Sequence, residues 1–147
     1  MGLSNSKKMI LSEEPISLLE WENLLYEGEK ADRDIYFDYI KSKNLRNSIF
    51  IDNTASPIIS KEYHKFLKNS IGVVTCNKIA CADELKNYKI LKNVSRKFSS
   101  PFLFETNVGA GLPIIDTLNN LIASGDRIIK IQAILSGSLN YIFNNFD

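Results

Sequence analysis

The chain has 147 residues, enough for one ordinary domain or parts of two, and 44% of them are hydrophobic, which excludes an intrinsically disordered chain. Charges nearly cancel, with 18 Lys+Arg against 17 Asp+Glu for a net +1, which argues against both a broad basic face for nucleic acid and an acidic tail. No apolar run nears the ~18 residues of a membrane span, no basic-then-apolar leader opens the chain, and the two cysteines, Cys76 and Cys81, are too few for a disulfide-built fold. The expectation is a cytoplasmic globular protein with neither a nucleic-acid nor a membrane partner.

Residues Met1 to Ser6 carry no clear pattern and read as the tail of something rather than a start. The stretch PISLLEWENLLYEG predicts a helix with Leu18, Leu19, Trp21, Leu24 and Leu25 on one face, Ser17 as N-cap and Gly28 as stop. A second helical pattern, DIYFDYIKSKN, aligns Ile35, Tyr36, Tyr39 and Ile40. Trp21, Tyr36 and Tyr39 read as core anchors. From residue 48 the punctuation changes. Ser48–Asp52 is a short apolar run ending in Asn53-Thr54 and reads as a buried strand. A helix over about Ser60 to Lys68, a strand Ile71–Thr75, a helix over about Ala82 to Lys92 and an apolar run Pro101–Phe104 follow. Strands alternating with helices through short connections predict a parallel α/β sheet.

After residue 106 the rhythm breaks. A glycine-rich loop, Asn107 to Pro113, feeds a helix whose stripe is Ile114, Ile115, Leu118, Leu121 and Ile122, with Pro113 suited to its first turn. Gly125-Asp126 turns the chain into a β-rich run, Arg127 to Leu135, and Ser136-Gly137-Ser138 opens a last helix, Leu139 to Phe146. That helix meets the end of the chain uncapped, which suggests truncation.

Ligands of parallel α/β sheets bind beyond the carboxyl ends of the strands. Three such ends are predicted here, at Asn53–Ser56, Cys76–Lys78 and Glu105–Asn107, and all are polar. Lys78 is either a solvated loop lysine or a cation that meets a phosphate, carboxylate or carbonyl oxygen. Glu105 is either a surface acid or an oxygen ligand for a hard cation, aided by carbonyls of the glycine loop. Gly109-Ala110-Gly111 has Ile114 where a dinucleotide fingerprint needs its third glycine, so a tight turn is the simpler reading. Ser136-Gly137-Ser138 could hold a carboxylate or act as a plain N-cap. His64 reads as a surface residue, and Cys76 with Cys81 as structural thiols rather than a zinc site.

Four ordered motifs carry a family resemblance. Phe104-Glu105-Thr106-Asn107-Val108-Gly109-Ala110-Gly111-Leu112-Pro113 and Ile134-Leu135-Ser136-Gly137-Ser138-Leu139-Asn140-Tyr141-Ile142-Phe143 resemble signatures of homoserine dehydrogenases. Thr75-Cys76-Asn77-Lys78-Ile79-Ala80 is similar to that family's TPNKKA motif, with Cys76 replacing proline and Ile79 a second lysine. Asp52-Asn53-Thr54-Ala55-Ser56 is similar to its D-x-T-S-S turn. The N-terminal stretch resembles the dehydrogenase half of bifunctional aspartokinase–homoserine dehydrogenases.

The resemblance implies a partial Rossmann-like sheet over residues 1–106 running into the start of an α+β substrate and dimerisation domain over 107–147. It implies hydride transfer between NADP or NAD and the aspartate 4-semialdehyde/homoserine pair, on the route to threonine and methionine, in a homo-oligomeric parent enzyme. Thr54, Ala55 and Ser56, with Asn77 and Lys78, would line the cofactor. Lys78 would be catalytic at the cofactor–substrate junction. Glu105, with the carbonyls of Val108, Ala110 and Leu112, would hold a monovalent cation such as sodium, and Gly137 with Ser138 the amino-acid end of the substrate. The family's first βαβ unit and its downstream acidic and lysine residues are not in these 147 residues, so the expectation is an inactive central fragment. The alternative is a non-catalytic dimerisation module derived from such an enzyme.

Overall fold

The computed structural model describes residues 1–134 and 136–146, and these form two compact units, Met1–Asn47 and Ser48–Asp147. The expected boundary at 106/107 falls inside the second unit.

In the first unit, β1 (Gly2–Ser4) and β2 (Lys8–Leu11) form an antiparallel hairpin, and β3 (Glu29–Lys30) pairs on the other side of β2. The unpatterned start is therefore a strand. Asn5 makes the turn: its side-chain oxygen accepts the Lys7 and Lys8 N–H groups, both at 2.8 Å. Helix α1 (Trp21–Glu27) begins later than its apolar residues suggest. Ser17 caps only a preceding turn, Leu18 and Leu19 lie outside the helix and are exposed, and Trp21 is 39% exposed instead of anchoring a core. Leu25 is the buried residue of α1, which packs on β2 beside buried Met9. Gly28 ends the helix at a close approach, where a Cβ would sit 2.5 Å from the Met9 carbonyl oxygen. Helix α2 (Arg33–Lys43) is capped by Asp32, which accepts the Asp34 and Ile35 N–H groups. Its Tyr36 and Tyr39 are half-buried, and Ile35 is exposed.

The second unit holds the parallel sheet. Its strands are β4 (Ile49–Asp52), β5 (Gly72–Thr75) and β6 (Phe102–Leu103), in the order β4-β5-β6. Each predicted helix between them is two. Pro57 starts α3 (Pro57–Ser60) under a Ser56 cap, and the chain re-aims at Lys61-Glu62 into α4 (Tyr63–Lys68). Extended backbone at Asp83 separates α5 (Ile79–Ala82) from α6 (Leu85–Lys97). Spacing i, i+3, i+4 turns Tyr63, Phe66 and Leu67 inward, and α4 packs on both β5 and α6. The Phe66 ring stacks on Phe50 with centroids 4.0 Å apart, and Tyr63 and Phe104 flank Phe102.

Beyond β6 a 3-10 turn, Glu105–Asn107, leads to α7 (Ile114–Ala123), and Pro113 occupies the N-cap position rather than the first turn. The apolar stripe of α7 is covered at Ile114, Ile115 and Leu118, and open at Leu121 and Ile122. No strand forms over residues 127–134, contrary to the β-rich reading, and Leu135 lies outside the described residues. β-branched content favours a strand only where another strand supplies ladder partners, and none pairs with this run among the described residues. Ser136 caps α8 (Gly137–Asn145), its hydroxyl oxygen accepting the Leu139 N–H at 3.1 Å.

Candidate functional site

The in-register parallel pairing Ile49↔Gly72 through Asp52↔Thr75, with Val73↔Phe102 beyond it, ends all three strands on one edge. There the turn after β4 (Asn53–Ser56), the turn after β5 (Cys76–Lys78) and the 3-10 turn after β6 come together. Period-two alternation places Asp52 with Phe50, and Thr75 with Val73, on the face packed beneath α4. The edge is thus underlain by polar side chains in an otherwise apolar layer.

Asp52 is 1% exposed and is the hub. One carboxylate oxygen accepts the Thr54 N–H at 2.8 Å. The other accepts the Tyr63 hydroxyl at 2.5 Å and the Asn77 side-chain amide at 3.1 Å. Thr75 and Asn77 close the network. The Thr75 hydroxyl lies 2.8 Å from that of Tyr63 and accepts the Asn77 N–H at 2.9 Å. The Asn77 amide also donates to the Ser56 carbonyl at 3.0 Å, and its oxygen takes the Ile79 N–H at 3.1 Å. A buried carboxylate is tolerated when such donors replace its water. Burial, and next the Asp52 carboxylate, push the Tyr63 hydroxyl well above the usual tyrosine range, so it stays protonated as a donor.

Above this layer three of the five predicted cofactor residues are accessible. Thr54, Ala55 and Lys78 are exposed, Ser56 is half-buried, and Asn77 is buried in the network. Lys78 forms no ion pair among the described residues. Cys76 is exposed, its sulfur 3.8 Å from the Asp52 carbonyl and the Asn53 side-chain oxygen. His64 lies off this edge, its Nδ1 bonded to the Lys61 carbonyl.

Glu105 acts as a remote helix cap. Its two carboxylate oxygens accept the Ile115 and Asp116 N–H groups at 2.8 and 2.7 Å, which closes the start of α7 from ten residues upstream. The loop between is shaped by positive φ at Gly109 (72°) and Ala110 (52°). The Leu112 carbonyl accepts the Ile114 N–H, whereas those of Val108 and Ala110 accept no backbone hydrogen bond among the described residues. Asn107 joins this segment to the β5 turn by donating to the Asn77 carbonyl at 3.4 Å, and its side-chain oxygen is buried with no hydrogen-bond partner among the described residues. It borders an apolar cleft of about 380 Å³ lined by Cys81, Leu85, Tyr88, Phe104 and Ile115, in which burial pushes the Cys81 thiol up. No group of three or more His, Cys, Asp or Glu capable of holding a metal occurs among the described residues.

The structure therefore brings Thr54, Ala55, Ser56, Asn77 and Lys78 to one edge, with Glu105 in the 3-10 turn that follows the next strand. Gly137 and Ser138 are exposed at the start of α8, whose hydrogen bonds are all local among the described residues. Sequence reasoning missed Asp52, Tyr63 and Asn107 as organisers of the edge. The available signal was a charged residue at a buried strand position, Asp52, directly opposite a hydroxyl, Thr75.

Comparison with known proteins agrees with this architecture. The NAD-binding domain of homoserine dehydrogenase matches residues 29–105, and the homoserine dehydrogenase family proper matches residues 113–147. A chloroplastic bifunctional aspartokinase/homoserine dehydrogenase 1 of Arabidopsis thaliana is 42% identical over 99% of this chain and 16% of its own length. The homoserine dehydrogenase of Schizosaccharomyces pombe is 43% identical over 89% of this chain and 35% of its own. A crystal structure of a Candida auris protein of unknown function superposes with a TM-score of 0.87 at 32% identity, covering 95% of this chain and 39% of that one. The chain thus spans between about a sixth and two fifths of the length of these relatives. No helix among the described residues is long and apolar enough to cross a membrane. With a nicotinamide-dinucleotide-binding family matched across the parallel sheet and its companion across α7 and α8, the chain belongs to the homoserine dehydrogenase family.

Proposed function

We propose that this chain supplies part of the nucleotide and substrate surface of an oxidoreductase that interconverts aspartate 4-semialdehyde and homoserine with NADP or NAD. One observation carries the reading: three parallel strands end on one edge, where exposed Lys78 stands without an ion-pair partner among the described residues, over a buried network joining two turns. In this reading residues 1–106 belong to the nucleotide-binding part, and residues 107–147 begin the substrate and dimerisation part.

The residues present fit a dinucleotide. Ala55 and Lys78 keep backbone N–H groups that donate to nothing among the described residues, and the Lys78 ammonium adds a positive charge. Thr54, Ala55 and Ser56 would position the nicotinamide end, with Asn77 holding the second turn against the first. The bound cofactor supplies the hydride. Lys78 would orient the semialdehyde oxygen and help move the proton that accompanies reduction. Gly137 and Ser138 would take the amino-acid end of the substrate. Glu105 and the carbonyls of Val108, Ala110 and Leu112 would supply an all-oxygen donor set of the kind a hard monovalent cation such as sodium takes. Each Glu105 oxygen already accepts one N–H and keeps lone-pair capacity for an ion.

The second reading is an assembly module. It is favoured by the exposure of Ile129 (96%), Ile134 (78%) and Phe143 (77%), an apolar surface suited to a second copy of the chain. By itself the chain is proposed to turn over no homoserine, because no hydrogen bond among the described residues joins Gly137 or Ser138 to Lys78. Thermal unfolding with NADPH and with rising protein concentration separates the readings. A midpoint that rises with NADPH supports nucleotide binding. One that rises only with protein concentration supports assembly, and homoserine-dependent NADP reduction would overturn the proposed inactivity.

A further inference from the structure

We infer that Tyr63 is a positioning residue: through Asp52 and Thr75 its hydroxyl locks the turn after β4 to the turn after β5, and so sets the place of the Lys78 loop. The inference rests on the nucleotide-site reading for its functional consequence and on hydrogen-bond geometry alone for the lock.

Counting protons fixes the direction of each bond. Tyr63 is 0% exposed and Asp52 1%, so water does not substitute for missing partners. Tyr63 has one hydroxyl proton, and at 2.5 Å from an Asp52 carboxylate oxygen it is committed there. The 2.8 Å contact between Tyr63 and Thr75 then uses the Thr75 proton, with the Tyr63 oxygen, nearer than the Asp52 carbonyl at 3.2 Å, accepting. The Thr75 oxygen in turn accepts the Asn77 N–H at 2.9 Å. Donation runs in one direction, from the Asn77 backbone to Thr75, to Tyr63, to Asp52. Bonds aligned this way polarise one another toward the carboxylate.

The two ends of that relay hold different turns. The Asp52 carboxylate holds the Thr54 N–H of the first, and the Asn77 side chain returns from the second to Asp52 and to the Ser56 carbonyl. Among the described residues, exposed side chains join the two turns only through the long Cys76–Asn53 sulfur contact at 3.8 Å. Without the tyrosine oxygen, Thr75 has only the Asp52 carbonyl, 3.2 Å away, as an acceptor, and the carboxylate loses its shortest donor. Both turns then loosen together, although the aromatic ring still fills its place between Phe50 and Phe102.

Cys76, exposed in the second turn one residue from Asn77 and two from Lys78, reports on the lock directly. The test follows iodoacetamide alkylation of Cys76, resolved from Cys81 by peptide mass spectrometry, with and without NADPH. It uses the full chain as wild type, Tyr63→Phe, and Phe66→Leu as a packing control outside the relay. The expected result is alkylation of Cys76 about fivefold faster in Tyr63→Phe, with about tenfold more NADPH needed for protection, and neither change in Phe66→Leu. Equal rates in Tyr63→Phe and Phe66→Leu would overturn the lock. So would faster alkylation with unchanged protection by NADPH. If the wild type is not protected by NADPH at all, the nucleotide reading fails, and the alkylation rates alone still decide whether the lock exists. Should Tyr63→Phe not fold, Thr75→Val against Thr75→Ser asks the same question: the valine is expected to reproduce the faster rate and the serine to restore the slow one.

Discussion

Two stretches of the second unit both fall within the family matches and differ in how this chain holds them. The edge formed by residues 52–56 and 75–78 is fastened by a buried carboxylate and the donors around it. The stretch from Asp126 to Phe146 carries a signature of its own, yet its described residues are exposed apart from half-buried Ser136, and its hydrogen bonds are local. Motif similarity reports shared ancestry in both places. Only in the first does it also report an arrangement that this chain builds from its own contacts.

The sharpest way to break the first region is Asp52→Ala. Three donors converging on one buried carboxylate would lose their acceptor, and the expected loss of stability is about 3 kcal/mol or more, read from urea unfolding. Next comes the joint between the regions. Glu105→Ala removes the cap of α7 and is expected to cost about 1–2 kcal/mol locally, seen as faster amide exchange at Ile115 and Asp116 with β5 amides unchanged.

A pH effect of similar size follows from Tyr63. Its hydroxyl is raised in the folded state, so above pH ~10 the unfolded chain releases this proton first and the folded chain retains more. The stability it contributes is full below that pH and falls as pH rises, at about 1.4 kcal/mol per pH unit for one proton. Unfolding midpoints between pH 9 and 11 should fall more steeply in the wild type than in Tyr63→Phe. The smallest effect belongs to the second region. Ile129→Ser, at a residue 96% exposed, should change stability by no more than about 0.5 kcal/mol. A reduced tendency to self-associate in sedimentation would favour the assembly reading.

How much of this was legible in the sequence depends on what stabilises each element. The strands of the parallel sheet announce themselves as short apolar runs ending in polar turns, because burial on the sheet demands that composition. Their common edge follows from the parallel order alone. The hairpin at Gly2–Leu11 is harder to see, since its strands are three and four residues long and mostly half-buried, and the usable sign was Asn5 between two apolar stretches. The run 127–134 misleads for the opposite reason: Ile128, Ile129 and Ile131 carry strand propensity, but a strand is a property of a pair. Glu105 was placed correctly at a strand end, while its helix-capping bonds depend on how the glycine loop folds back, which spacing does not encode. Asp52 and Tyr63 are eleven residues apart and meet only because α4 crosses over β4 and β5.

The reach of Glu105 has one more implication. Its side chain spans from the end of β6 to the opening turn of the next helix, so what matters there is length as well as charge. Aspartate would keep the charge and be one carbon too short to hold both amides. Substitution scores that treat the two acids as near equals would rank Glu105→Asp as mild, whereas the fold ranks it close to a deletion of the side chain.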